Sequence, residues 1–187
     1  MTEALYLTAS VALTVFAQRS LDKKMKNEYQ PPLHDILHKH LPDLQKFERF
    51  IDMLPVALGL IVVSFVINGS VPFKKVASPL ALLFFLRILC FSFTILPCPY
   101  TLTSHPKSIG GTNDCMFSGH TACTLLFAYI ICAKIPGLKW PLLLYSLLAS
   151  MLIVSTRSHY TADIIVAWIA TYAVILFSYS QKSFPHP

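Results

Sequence analysis

The sequence predicts an all-α integral membrane protein, a bundle of six transmembrane helices forming one domain over residues 1–187. Three observations lead there. Of the 187 residues 55 % are hydrophobic and only 13 % charged, with a mean hydropathy of +0.59, whereas a soluble domain carries roughly 25 % charged residues. The apolar residues come in blocks instead of alternating with polar ones, and in lipid such a block satisfies its backbone amides as a helix. The 13 prolines and 6 glycines fall mostly between the blocks or at their edges, where they punctuate the chain.

A bilayer core takes about 20 apolar residues per helix. The first block, 4–18, has the profile of a signal-peptide core, but Glu3 stands where such a peptide is positive and Phe16-Ala17-Gln18 is a poor cleavage site, so it is read as a span. A polar loop at the membrane interface follows over 20–52. It carries Lys23, Lys24 and Lys26, then Gln30-Pro31-Pro32-Leu33-His34-Asp35. After that run, Ile36, Leu37, Leu41, Leu44, Phe47, Phe50 and Ile51 recur at helical spacing, which predicts a helix lying along the membrane surface. The remaining spans are 53–68, 79–97, 115–133, 138–156 and 162–179. Alternation puts the end of the third, the start of the fourth, the end of the fifth and the start of the sixth on one face. The opposite face receives short segments holding Lys74, Lys75, Lys134, Lys139 and Lys182. The net charge of +6 therefore points to a membrane surface, and with no basic stripe interleaved with aromatics a nucleic-acid partner is not expected.

Ionisable groups in or beside spans cost several kcal/mol unless paired or wet, which makes each a functional candidate. They are Arg87, Asp114, His120, Arg157, His159 and Asp163. Asp114-Cys115-Met116-Phe117-Ser118-Gly119-His120-Thr121 places a carboxylate and an imidazole where a loop becomes the fourth helix, and a helix start suits an anion. Alone, this stretch equally fits a helix cap. His159 and Asp163 are four residues apart and share one face of the sixth helix. A carboxylate on one imidazole nitrogen leaves the other as base or nucleophile, although a buried ion pair between helices would use the same residues. Arg157, two residues earlier, adds a guanidinium suited to phosphate. Arg87 lies too deep to snorkel and must face the bundle, to meet an anion or to be held by helix carbonyls and an aspartate. Together these residues fit phosphoryl transfer on a lipid headgroup, one histidine attacking phosphorus and the other protonating the departing alcohol. No metal and no other cofactor is expected, since a cation among Asp114, His120, His159 and Asp163 would be repelled by Arg87 and Arg157. A serine hydrolase fits less well, because no Gly-x-Ser-x-Gly elbow surrounds Ser118.

These residues resemble the sphingomyelin synthase and inositol phosphorylceramide synthase group of the lipid phosphatase/phosphotransferase superfamily. The resemblance runs from about Gln30 to Ala170. It rests on Gln30 to Asp35, on Arg87 ahead of Leu96-Pro97-Cys98-Pro99, on Asp114 to Thr121, and on Arg157 to Asp163 followed by Ile164-Ile165-Val166-Ala167-Trp168. It implies six transmembrane helices and a His–His–Asp triad mapping onto His120, His159 and Asp163. His159 would take the phosphoryl headgroup covalently and His120 would protonate the departing diacylglycerol. Asp114 would support them, and Arg87 and Arg157 would bind phosphate. The implied partners are a phospholipid donor, a ceramide or diacylglycerol acceptor and membrane lipids, with a homodimer as one possible assembly. Phosphatidylcholine–diacylglycerol cholinephosphotransferases share a similar Arg-x-His-Tyr-Thr-x-Asp pattern and remain an alternative, as does a lipid phosphate phosphatase using water. A non-catalytic lipid-binding or scaffolding protein is the alternative from another class.

Two features depart from the family. The chain is expected to lack an N-terminal extension like that of the animal enzymes, and the connection from Pro97 to Asp114 is short, which leaves acceptor specificity open. The resemblance implies a location in the endoplasmic reticulum, Golgi or plasma membrane with the active face lumenal or exoplasmic. The charge count leans the other way. Seven basic residues between Arg19 and Arg49, with Lys107 and Arg157, share the active face, against five opposite. Cys98 and Cys115 flank the loop on that face and could pair there, geometry deciding.

Overall fold

The computed structural model describes residues 2–25, 33–97, 99 and 115–179. Among them the fold is helical, with α1 (Thr2–Met25), α2 (Ile36–His40), α3 (Glu48–Ile51), α4 (Met53–Ile67), α5 (Phe73–Phe93), α6 (Gly119–Lys134), α7 (Lys139–Ser155) and α8 (Thr161–Tyr179), and 3-10 turns before α3 and α7. The part of the loop 20–52 that lies at 26–32, the residues Cys98, Lys107, Asp114 and Lys182, and any pairing of Cys98 with Cys115 fall outside the described residues.

Among the described residues four of the six expected spans are long and apolar enough to cross a membrane: Gln45–Ile67, Phe73–Phe93, Pro136–Ser155 and Thr161–Tyr179. They turn Leu60, Ile67, Phe93, Leu144, Ile169 and Phe177 outward. An apolar surface of that extent marks contact with lipid or another partner, and the chain is an integral membrane protein. α6 is apolar but has only 16 residues, about 24 Å at 1.5 Å per residue, less than a bilayer core of about 30 Å. It sits at the centre, packed on α4, α5, α7 and α8, and is the element with the least need to meet lipid along its length. α1 lies along α5; at 24 residues it is longer than the block 4–18, but it is not among the four apolar stretches.

Two boundaries differ from expectation for reasons of proline chemistry. The single surface helix expected over Ile36–Ile51 is split. Leu41 is extended, φ −87° and ψ 145°, because Pro42 excludes the helical conformation from the residue before it, so α2 ends at His40 and a 3-10 turn leads into α3. Conversely, Pro79, expected to open the third span, lies inside α5. A mid-helix proline orphans the carbonyl four residues back; here that is Lys75, and the Tyr179 hydroxyl at the end of α8 donates to it. The Lys75 ammonium lies over the Tyr179 ring at 5.6 Å. α4 turns into α5 through Gly69, whose φ of +74° is the left-handed conformation glycine adopts without a Cβ clash.

Two apolar clusters hold the helices. The larger centres on Leu58, Val62, Leu83, Leu126, Ile130, Ile131, Ala167 and Val174. The smaller, Ile51, Ile153, Val154 and Ile164 with Leu41 and Trp168 packed on it, lies where α3, the end of α7 and the start of α8 meet. It is the floor on which the polar groups described next are arranged.

Candidate active site

The beginnings of α6 and α8 abut, the Ser118 N–H reaching the Asp163 carbonyl at 3.4 Å. Each begins with a defined cap. The Ser118 hydroxyl accepts from the Thr121 N–H at 3.3 Å. At α8 the Asp163 carboxylate reaches back to the Tyr160 N–H at 2.9 Å, the acidic half of a capping box. The next amide, Thr161 N–H, is capped from far away in sequence: it donates to Asp35 Oδ2 at 2.6 Å, and the Thr161 hydroxyl donates to Asp35 Oδ1 at 2.8 Å.

His159 precedes α8 and is buried. Its Nδ1 lies 3.0 Å from the Cys115 carbonyl oxygen and 3.4 Å from Asp163 Oδ2. A carbonyl and a carboxylate can only accept, so Nδ1 carries a proton. Asp163 is fully buried, and its other oxygen, Oδ1, has no hydrogen-bond partner among the described residues. An unmet acceptor beside an imidazole is a group to explain.

His120, in the first turn of α6, pairs with a residue that the sequence reading left in the polar loop. Its Nε2 is 2.7 Å from Asp52 Oδ1, each side chain about a quarter exposed (25 % and 26 %). Asp52 stands immediately before α4, on the face where spans alternate into the site. The available signal was a carboxylate at the edge of an apolar block.

Arg87, buried within α5, donates from Nε to the Phe117 carbonyl at 2.9 Å and stacks over Phe91 at 5.7 Å. A Cβ on Gly119 would meet Arg87 Nε at 3.5 Å: the space a glycine leaves at the α6 start is lined by a guanidinium. Arg157 goes elsewhere. Its φ of +58° is unusual for a residue with a side chain, costing about 1–2 kcal/mol. The guanidinium helps to hold it there: Nη2 donates to the carbonyls of His38 (2.6 Å) and Leu41 (3.1 Å), while Nη1 is buried without a hydrogen bond among the described residues. The structure thus gathers Arg87, His120, His159 and Asp163 around the two helix starts and turns Arg157 toward residues 38–41. Asp114 lies just outside the described residues, next to Cys115.

His38 and Asp52 are not marked by the sequence, and Asp35 enters there only as the last residue of the segment Gln30 to Asp35, with no site role. Burial alone would raise the Asp35 carboxyl, but hydrogen bonds from the Thr161 amide and hydroxyl, with His38 and its amide, together hold it below its ordinary value. Among the described residues no three His, Cys, Asp or Glu side chains cluster as a metal site.

Residues 111–181 match the family model of the PAP2 superfamily C-terminal domain. An Arabidopsis thaliana protein named phosphatidylinositol:ceramide inositolphosphotransferase 3 is 38 % identical over 74 residues, covering 37 % of this chain and 25 % of that protein. Proteins named phosphatidylinositol:ceramide inositolphosphotransferase from Oryza sativa subsp. indica and subsp. japonica are each 26 % identical over 187 residues, covering 79 % of this chain and 56 % of theirs. The chain spans between a quarter and just over half the length of the curated relatives it matches. The region matched by the family model contains His120, His159 and Asp163.

Proposed function

We propose that this protein is a lipid phosphotransferase that moves a phosphoryl headgroup from a glycerophospholipid to ceramide or a similar lipid alcohol through a phosphohistidine at His159. The observation that carries the reading is the hydrogen bond from His159 Nδ1 to the Cys115 carbonyl at 3.0 Å, with the Asp163 carboxylate 3.4 Å from the same nitrogen. It supports an imidazole whose nucleophilic nitrogen is Nε2. The relatives' names suggest phosphatidylinositol as the donor and ceramide as the acceptor.

In the first half-reaction Nε2 attacks phosphorus, a P–N bond forms, and the P–O bond to diacylglycerol breaks. Arg87 stabilises charge on the phosphoryl oxygens. His120 protonates the departing alkoxide. Its Nε2 proton is held by Asp52, so the transferred proton leaves from Nδ1. In the second half the ceramide hydroxyl gives its proton to His120 Nδ1 and its oxygen to phosphorus, and the P–N bond breaks. A covalent intermediate lets the two lipids use one opening in turn; direct transfer would need both on opposite sides of one phosphorus inside a narrow bundle. Asp114, the residue before Cys115 in the sequence, is assigned a supporting role. The site face is read as lumenal or exoplasmic, and the chain as one membrane domain.

Purified protein is given fluorescent short-chain ceramide or diacylglycerol with headgroup-labelled phosphatidylinositol, phosphatidylcholine or phosphatidylethanolamine, and products are resolved. Labelled phosphosphingolipid and ping-pong kinetics are expected. Intersecting double-reciprocal lines, with no headgroup trapped on the protein, would remove His159 from the nucleophile role. Headgroup release to water alone would make the protein a phosphatase.

A further inference from the structure

His159 does not sit on a helix. It belongs to the link 156–160 between Ser155, the last residue of α7, and Thr161, the first of α8. A short link of this kind fixes a side chain only if its own backbone is fixed, and here a separate segment, residues 33–44, ties it from end to end. The Leu44 N–H donates to the Ser155 carbonyl at 2.9 Å, and Arg157 reaches the His38 and Leu41 carbonyls. His38 Nε2 lies 3.1 Å from the carbonyl oxygen of His159 itself, and its ring stacks on Tyr160 at 5.8 Å. The Leu33 N–H donates to the Tyr160 hydroxyl at 3.0 Å.

Asp35 joins these ties. One carboxylate caps two helices: Oδ1 accepts from Leu37 and His38 N–H at the start of α2 (2.9 and 3.3 Å), and both oxygens accept from Thr161 at the start of α8. It thereby fixes His38, which holds the His159 carbonyl, and fixes the residue two beyond His159 directly. The Nδ1 hydrogen bond to Cys115 is 3.0 Å long; a displacement of about 1 Å would take it beyond hydrogen-bonding range, and misplacement of that size at a reacting group costs about 100-fold in rate.

We propose that Asp35 is a positioning residue for His159, one carboxylate that bridges the α2 and α8 starts and so sets the register in which His159 meets the Cys115 carbonyl. The proposal rests on the reading of His159 as the phosphoryl acceptor, and its test separates the two.

The full chain is labelled with 15N at histidine in detergent micelles, and the His159 resonances are assigned by their loss in His159→Gln. In Asp35→Ala the single Nδ1–H tautomer of His159 should give way to a mixture, with the His120 signals unmoved. Turnover of labelled phosphatidylinositol should fall at least about tenfold with donor KM within about twofold, the signature of an interaction used after binding. Thr161→Val, which removes only the hydroxyl bond to Oδ1, should move both readouts in the same direction by less, and should add nothing in the Asp35→Ala background. Should Asp35→Ala fail to fold, Thr161→Val decides alone. A folded variant with the wild-type His159 spectrum overturns the proposal. A His159 spectrum that responds to Asp35→Ala, in a protein that cleaves none of the donors even as wild type, upholds the positioning role and overturns the phosphotransferase reading.

Discussion

Replacing Asp52 by Ala strips His120 of its carboxylate and tests whether a pair joined across 68 residues of sequence acts as one unit. At 2.7 Å the bond is charge-assisted, a class worth about 1.5–3 kcal/mol. Each partner is about a quarter exposed (25 % and 26 %), so water replaces part of what is lost and the lower end applies, about 1.5–2 kcal/mol. If that interaction is used in the transition state, the rate falls roughly 10- to 30-fold at 1.36 kcal/mol per decade. The loss belongs in kcat for diacylglycerol release, with donor KM nearly unchanged, because Asp52 orients the acid and touches no lipid in the mechanism proposed. Asp52→Asn keeps an oxygen that accepts from Nε2–H and should lose only several-fold. The assay follows release of fluorescent diacylglycerol from donor, in single-turnover and steady-state modes, for Asp52→Ala, His120→Ala and the double variant. The two changes should not add, since His120→Ala already removes the group that Asp52 holds. Folded Asp52→Ala protein within twofold of wild type, or a double variant showing the product of the two losses, would refute the pairing as part of the chemistry.

Asp163→Asn should bind donor nearly as well as wild type while losing turnover by about two orders of magnitude or more, since a buried carboxylate that orients an imidazole matters to the reacting state; equilibrium binding to donor micelles beside kcat checks this, and near-normal turnover would contradict it. Tyr179→Phe should lower stability in detergent by about 1–2 kcal/mol, because it removes the hydroxyl that donates to the Lys75 carbonyl, whose usual helical donor Pro79 lacks. Pro79→Ala restores the backbone donor, so the loss should shrink when both changes are combined, as thermal unfolding of the four proteins will show. Asp35 predicts a pH dependence with a definite sign. Its folded-state value is lowered, so the stability it contributes is complete above the ordinary aspartate value and lost as pH falls through the folded value. The gap in denaturation midpoint between wild type and Asp35→Ala should therefore be constant at neutral pH and close in acid; a gap that widened on acidification would contradict the sign.

The apolar blocks and the helical class follow from the sequence because hydropathy is local: each residue's transfer free energy is its own, and sums over a window; of the six spans expected, four are long and apolar enough to cross a membrane among the described residues. The same reasoning picked out Arg87, His120, His159 and Asp163, whose charges must find partners in lipid wherever the chain runs, and alternation of spans placed them toward one end. His159 and Asp163 do lie within 3.4 Å, but not on one face of a helix as their spacing suggested: His159 stands in the link before α8, and the Asp163 carboxylate reaches back to that link. Partner choice was not local. That His120 meets Asp52, that Arg157 turns toward the His38 and Leu41 carbonyls, and that Asp35 caps α8 each depend on a few ångströms of proximity between segments distant in sequence. The acceptor nearest His159 Nδ1 is a main-chain carbonyl, that of Cys115, a group every residue carries and no pattern of side chains can mark. The segment 33–44 shows the limit most clearly. Its five-residue helix α2 is too short to hold itself together, so its conformation comes from docking against the link that carries His159, and tertiary structure alone decided that a loop at the membrane interface would grip that histidine.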